Sequence, residues 1–494
     1  MKVGYVLSAS GAYPPDTIEI TLLRGGAVHR GEYLYVEHDG KHIFVQVESV
    51  FVKRPTSSYD EKLARDDVII HDAEKVVGKA VCAQVGYDAG DSIEPYLHPI
   101  PPLAPAYKPT GEELYRLIAP RGPSISIGRI YPTEAPLTLD LRVLFRQGAL
   151  VVGGVGTGKS TLLLTIMMKI LENAGLRPHL LLIDWDGEYN TPALSAKAEA
   201  AGGYLRMTSK TPIKRRIRAM SPTEWYNMFR RITGVAAQSR EARALYGALK
   251  TLEERGVSSI EWSMEGFRLV AEQVASPEAR RLLETQAQRV FTGSEEGADG
   301  GVDVVEALRR NALVHVDFSD ADNWDEIILK TRDILEACYV EARANPSFGV
   351  AVFIDEVHNF CPQSVHEGAA SREAYEALTP LMKLLATTGP RNGVPLLIAT
   401  QRLSEVDKFI STQMGQNIFA FRVEDVDLER LRNIVGSDVA YSARLLPRGY
   451  CIYKGHALRI QRPVIVAVEK VADVASVGRD LLTRWAKQHE VEGP

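Results

Sequence analysis

The sequence predicts an α/β protein with a small N-terminal β-barrel or sandwich and a helical insertion in its core. Three observations carry that expectation. Short segments rich in β-branched and aromatic residues crowd the first hundred positions. From about residue 110, near-continuous apolar segments recur, as expected for strands buried on both faces of a largely parallel sheet. Residues 204–305 show helical period instead.

The length of 494 residues allows two to four domains at ~100–200 residues each. With 45% apolar and 24% charged residues, extended disorder, collagen-like repeats and a coiled-coil rod are excluded. The formal net charge is −5, which excludes a globally basic binder but not a local basic surface. Cys82, Cys338, Cys361 and Cys451 form no CxxC pair, so they read as isolated buried thiols in a reducing compartment rather than zinc ligands or a redox dithiol. The N-terminus lacks a signal-peptide core, and no window reaches the ~20 apolar residues of a membrane span. The expectation is a cytoplasmic protein without membrane association.

In chain order, Val3–Leu7, Ile18–Leu22, Glu32–His38 and Ile43–Val52 read as strands of a domain over residues 1–94. Residues 1–100 hold 10 Lys and Arg against 15 Asp and Glu, an acidic balance that suits protein docking better than nucleic acid. Residues 95–109, with six prolines, read as a linker and domain boundary, because proline fixes φ and lacks an N–H. An α/β core is expected over 110–203 and again over 306–470. Its strands are Ala149–Val152, His179–Ile183, Ala312–Val316, Val350–Ile354, Pro395–Ala399 and Ile418–Phe421. In the insertion between, residues 201–250 hold 11 Lys and Arg against 2 Asp and Glu. Residues 471–494 follow the core.

Gly153-Gly154-Val155-Gly156-Thr157-Gly158-Lys159-Ser160 matches the phosphate-binding pattern GxxxxGK[ST]. An apolar strand precedes it, and the helix-compatible run Thr161–Glu172 follows. Its glycines let backbone N–H groups curl around a phosphate at a helix N-terminus. Lys159 should reach the β- and γ-phosphates of ATP, and Ser160 should ligate Mg²⁺. The strand Val352-Phe353-Ile354 ends in Asp355-Glu356. There Asp355 suits the Mg²⁺ and Glu356 suits a general base acting on water. His358 reads as a polar loop contact. The strand ending Ala399-Thr400-Gln401-Arg402 places Gln401 to orient water or the γ-phosphate. Arg391, in the loop Gly389–Gly393, suits a finger acting on a neighbouring subunit's nucleotide.

Together these segments resemble the HerA branch of the HerA/FtsK translocase ATPases, a family of archaeal hexameric DNA pumps. Ile125-Ser126-Ile127-Gly128-Arg129 is similar to the family's lead-in segment. Asp184-Trp185-Asp186-Gly187-Glu188-Tyr189 resembles its D-P-H-G-E-Y box, with Trp185 and Asp186 replacing Pro and His. The Asp-Glu strand and the A-T-Q-R strand end also match. The loop holding Arg391 is similar to the family's G-R-x-x-G segment, with Pro390 in place of Gly and one residue fewer. Gly449–Tyr453 looks like its late glycine-led strand.

The resemblance implies a RecA-like core, an N-terminal HAS barrel, and a C-terminal brace at Ser476–Gln488. It implies homohexameric rings threading double-stranded DNA, with a NurA-type nuclease on the barrel face and a break-processing nuclease–ATPase complex in DNA end resection. Lys210, Lys214, Arg215, Arg216 and Arg218 are the candidate DNA contacts, through phosphates rather than bases. Two other readings share the P-loop: a conjugation- or secretion-type hexameric ATPase, and a nucleotide-gated scaffold. The full set Lys159, Ser160, Asp355 and Glu356 disfavours the scaffold, which needs no water activator.

Overall fold

The computed structural model describes residues 1–10, 17–23, 27–53, 77–90, 92–173, 175–214, 218–291, 301–365, 369–460 and 462–474. The chain divides into two compact units. One comprises Met1–Leu144, Asn417–Arg422 and Asp438–Glu469, and the other Phe145–Gln416, Val423–Ser437 and Lys470–Pro494.

In the first unit, alternating residues turn Ile18, Ile20, Leu34, Val36, Ile43 and Val45 into one core, leaving polar neighbours on the other face. Six antiparallel strands enclose it: Lys2–Ser10, Thr17–Leu22, Tyr33–His38, Lys41–Lys53, Val77–Asp88 and Pro105–Tyr107. Pairing of Thr17–Leu22 with Val77–Asp88 closes the ring, so these strands leave no long free edge.

The last of these strands corrects the linker reading. Pro105–Tyr107 lies between Lys2–Ser10 and Tyr33–His38 rather than in a spacer. Proline is tolerated because it is the strand's first residue, and Ala106 and Tyr107 supply the ladder. Tyr96, Ile100 and Ala104 of the same stretch are buried in the barrel core. No unit boundary therefore falls at 95–109. It falls after Leu144, because Ser124–Ile130 and Ala135–Asp140 form an antiparallel hairpin that continues onto Val464–Val468, Tyr450–Gly455 and Asn417–Ala420 of the same unit. Residues 110–144, 417–422 and 438–469, including the expected core strand Ile418–Phe421, are expected from the sequence in the α/β core and instead belong here.

The second unit holds six parallel strands, ordered Tyr204–Thr208, Leu313–Asp317, Leu180–Asp184, Ala351–Ile354, Leu396–Thr400 and Ala149–Val152. All but the first are fully buried, which explains their apolar runs. Tyr204–Thr208 at the edge is only partly buried and mixes Arg and Thr with apolar residues, so its strand character was hidden. The insertion accordingly starts after Thr208, not at Tyr204. It comprises the helices Pro222–Thr233, Arg240–Glu254, Met264–Ala271 and Pro277–Phe291, plus the two-residue strand pair Ala219–Met220 and Ile260–Glu261. Trp225, Phe229, Trp262, Phe267 and Phe291 pack as its aromatic core. The expected brace, Ser476–Gln488, lies outside the described residues. Among the described residues, no helix is long and apolar enough to cross a membrane, and all four cysteines are buried free thiols.

Candidate active site

Parallel strands put all their C-terminal ends on one edge, where ligands of such sheets bind. Val152 stands level with Thr400 there, and the Gly153 N–H donates to the Thr400 carbonyl at 3.3 Å. The chain then turns through Gly156 at φ +68° and Gly158 at φ +122°, conformations that L side chains avoid. The helix Lys159–Leu171 starts at once, so its first N–H groups face the loop. Within the loop, Thr157 Oγ1 donates to the Gly154 carbonyl at 2.8 Å, and the buried Lys159 Nζ lies 3.3 Å from the same oxygen. Val155 is exposed at the tip, while Ser160 and Thr161 are half-buried on the first helical turn.

Two strands away, Asp355 and Glu356 leave Ala351–Ile354 as buried carboxylates. Glu356 has φ +48°, a left-handed conformation uncommon outside glycine, which turns its side chain away from the strand's course. It is held from three sides. The Gln401 backbone N–H donates to Oε2 at 3.2 Å, the Gln401 side-chain amide donates to Oε1, and His358 Nδ1 lies 3.2 Å from Oε2. His358 Nδ1 is also 3.2 Å from Thr400 Oγ1. Burial alone would raise the Glu356 carboxyl, but the His358 bond, the Lys159 charge and the Gln401 bond outweigh it and hold it below the ordinary carboxylate range.

Asp355 behaves oppositely. Burial first, and then the Glu356 charge, push its carboxyl up to about 8, against the bond from Tyr189 and the Lys159 charge. Tyr189 O–H donates to its Oδ2 at 2.8 Å, and the Glu356 N–H to its Oδ1 at 2.9 Å. The pair is thus split into an ionised Glu356, suited to accept a proton, and a buried Asp355 that keeps its proton unless a cation takes its place. Magnesium fits this site. The donor present is a hard carboxylate oxygen buried at the ligand edge, and Mg²⁺ takes one or two such protein oxygens and completes its shell with phosphate and water.

The Asp184–Tyr189 box, at the end of Leu180–Asp184, adjoins these carboxylates. Trp185 stacks on Trp324 with centroids 4.6 Å apart and meets Phe360 edge-on at 5.1 Å, so it serves as packing beneath the loop. Asp186 is exposed. Lost solvation, followed by the charges of Glu356, Glu188 and Asp184, pushes its carboxyl up to about 6.

Residues 125–330 match the family model described as "Helicase HerA, central domain". This segment is similar to a HerA central domain. The match opens on the Ile125–Arg129 lead-in and takes in the P-loop and the Asp184–Tyr189 box. Solved structures with a similar chain course include VirB4 of Thermoanaerobacter pseudethanolicus, at 13% identity over 71% of this chain and 98% of that one, with a TM-score of 0.43. The bacterial conjugative coupling protein TrwBdeltaN70 is 14% identical over 74% of this chain and 93% of its own, with a TM-score of 0.45. The genome-packaging NTPase B204 of Sulfolobus turreted icosahedral virus 2, in complex with ATP-gammaS, is 12% identical over 65% and 97%, with a TM-score of 0.32. No curated protein matches the chain.

The structure brings Glu356 and Gln401 together, with Lys159 close enough that its charge acts on both Glu356 and Asp355. Arg391 is not among them. It is exposed in the short turn Pro390–Asn392, ahead of Leu396–Thr400, and the next residues bond to the start of Ala351–Ile354 through Val350 N–H and the Gly393 carbonyl at 2.8 Å. It therefore lies at the N-terminal edge of the sheet, opposite its own P-loop. Of the basic candidates, Lys210 and Lys214 are exposed, Arg218 pairs with Glu341 at 3.5 Å, and Arg215 and Arg216 lie outside the described residues.

Sequence reasoning missed two partners. The sequence marks Tyr189 only as part of the Asp184–Tyr189 box and His358 only as a polar loop contact. The signal for His358 was its place two residues beyond the base. Nothing local marked Tyr189, which meets Asp355 across 166 positions.

Proposed function

We propose that this protein is an ATP hydrolase that drives double-stranded DNA through a ring of its own copies, working in the cytoplasm. In this reading the P-loop backbone and Lys159 hold the β- and γ-phosphates. Ser160 and Asp355 hold magnesium, which when bound neutralises charge developing on the phosphates. Glu356 takes a proton from the attacking water, and Gln401 and His358 fix the direction of its carboxylate. Arg391 faces away from its own P-loop and serves a neighbour's site, which makes a closed ring, six copies by the family's habit, the working unit. The observation that carries the reading is the split carboxylate pair: an ionised, triply held Glu356 is the arrangement a hydrolase needs and a nucleotide-gated scaffold does not.

The DNA and repair parts rest on the HerA central domain and on the exposed Lys210 and Lys214 at the start of the insertion. By the same resemblance, a NurA-type nuclease would dock on the barrel, and the two would serve end resection and double-strand-break repair beside the break-processing nuclease–ATPase complex. The deciding experiment measures steady-state ATP hydrolysis with and without blunt duplex DNA. Duplex stimulation that disappears in Glu356→Gln supports a translocase. Hydrolysis indifferent to duplex would move the protein to the other reading, a conjugation- or secretion-type ATPase powering a transfer machine.

A further inference from the structure

His315 occupies the middle of the strand Leu313–Asp317 and is fully buried. A polar ring in such a strand is costly unless both nitrogens are bonded. Both are. Nε2 lies 3.0 Å from Asp184 Oδ2, and Nδ1 lies 2.9 Å from the Tyr204 hydroxyl. A tautomer with its proton on Nε2 satisfies the two at once, donating to the carboxylate and accepting from the phenol.

Asp184 has further duties. Its Oδ1 accepts the N–H groups of Gly187 at 2.9 Å and Glu188 at 3.2 Å, and its Oδ2 also accepts the N–H of Tyr189 at 3.0 Å. One carboxylate therefore winds the chain into the turn that carries Tyr189. Gly187 completes the turn at φ +76°, where a Cβ would stand 2.9 Å from Ser319 Cβ. Tyr189, itself fully buried, then reaches Asp355 Oδ2 at 2.8 Å. The other oxygen of Asp355 is fixed by the Glu356 N–H.

We propose that His315 is a positioning residue for the metal-binding carboxylate: through Asp184 and Tyr189 it sets the rotation of Asp355. This rests on the reading of Asp355 as a magnesium ligand. The run from Tyr204 to Asp355 crosses four adjacent strands, beginning on the edge strand that feeds the insertion. Partners that orient a metal ligand from behind act on metal affinity, by ~10–100-fold when removed. Lys159 and the P-loop are untouched by this chain of bonds, so nucleotide binding without metal should not depend on it.

The test is the affinity of the protein for a fluorescent ATP analogue, measured across a magnesium titration and in EDTA. Tyr189→Phe and His315→Leu should each need ~10-fold more magnesium to reach half of the metal-dependent gain. Affinity in EDTA should match the unaltered protein. His315→Gln, whose amide can still donate to Asp184, should recover most of the lost metal affinity. Thermal melts accompany each variant. If His315→Leu does not fold, Tyr189→Phe decides, since it loses only one oxygen. An unchanged magnesium dependence in Tyr189→Phe overturns the proposal. So does an unaltered protein whose nucleotide affinity ignores magnesium, which also removes Asp355 from its metal role. A normal magnesium response without duplex-stimulated hydrolysis sinks the translocase reading alone.

Discussion

Arg391 offers the sharpest test of a shared site. The strand Leu396–Thr400 separates its turn from the P-loop edge, and its four steps at ~3.3 Å per residue span ~13 Å before the turn itself is counted. An arginine cannot bridge that gap to its own nucleotide, so any catalytic use of Arg391 crosses to another copy. Arg391→Ala should bind nucleotide normally while hydrolysis falls ~10³-fold or more, the usual worth of an arginine finger. The direction of action can then be read from mixtures. Lys159→Ala protein lacks a working P-loop but presents an intact Arg391, and Arg391→Ala protein has the converse defect. In rings assembled at random from equal amounts, a working P-loop meets a working arginine at about one interface in four. Two inactive proteins should therefore regain about a quarter of normal turnover if interfaces fire independently, measured by phosphate release after co-refolding or slow exchange. Activity that stays at the level of the inactive parents at every mixing ratio would refute action between copies.

The remaining expectations concern the base, the basic segment and the acidic box. Glu356→Gln should retain ATP and slow hydrolysis by ~10²–10⁴-fold in single-turnover assays, whereas Lys159→Ala should lose nucleotide affinity itself; normal turnover in Glu356→Gln would remove it as the base. Replacing Lys210 and Lys214 together by Ala should flatten the slope of log affinity for duplex against log salt by ~1.8, at ~0.9 per phosphate contact, while Arg218→Ala, whose guanidinium already faces Glu341, should leave the slope alone. An unchanged slope in the double variant would place the DNA contacts elsewhere. For Asp186, folding raises the carboxyl to about 6 from an ordinary ~3.9, so the stability it contributes is complete below pH ~3.9 and is lost as pH rises through about 6. Asp186→Asn should thus melt higher than the unaltered protein by a margin that grows between pH 4 and 7 and then levels off; a margin independent of pH would contradict the shift.

Much of the site was legible because its chemistry is contiguous in the chain. A phosphate loop needs its glycines, Lys159 and Ser160 within a single turn between strand and helix, and local sequence can specify that completely. Asp355, Glu356 and Gln401 were legible for a related reason: strands buried on both faces announce themselves as apolar runs, and the first polar residues after such a run stand at the ligand edge. The same logic failed where burial is partial. Tyr204–Thr208, on the sheet's edge, has no apolar run to betray it, and Pro105–Tyr107 was masked by prolines that a strand tolerates at its start.

What only the tertiary structure decided is which strand lies beside which. Strand order brings Tyr189 to Asp355, His315 to Asp184 and Tyr204 to His315, over separations of 166, 131 and 111 positions. It also sets Arg391 at the edge opposite its own P-loop, and it closes the barrel with a segment that reads as a linker. Periodicity and motif report how one segment meets its immediate surroundings, but a hydrogen bond between distant side chains depends on the order in which the whole sheet is assembled, and no single segment carries that order.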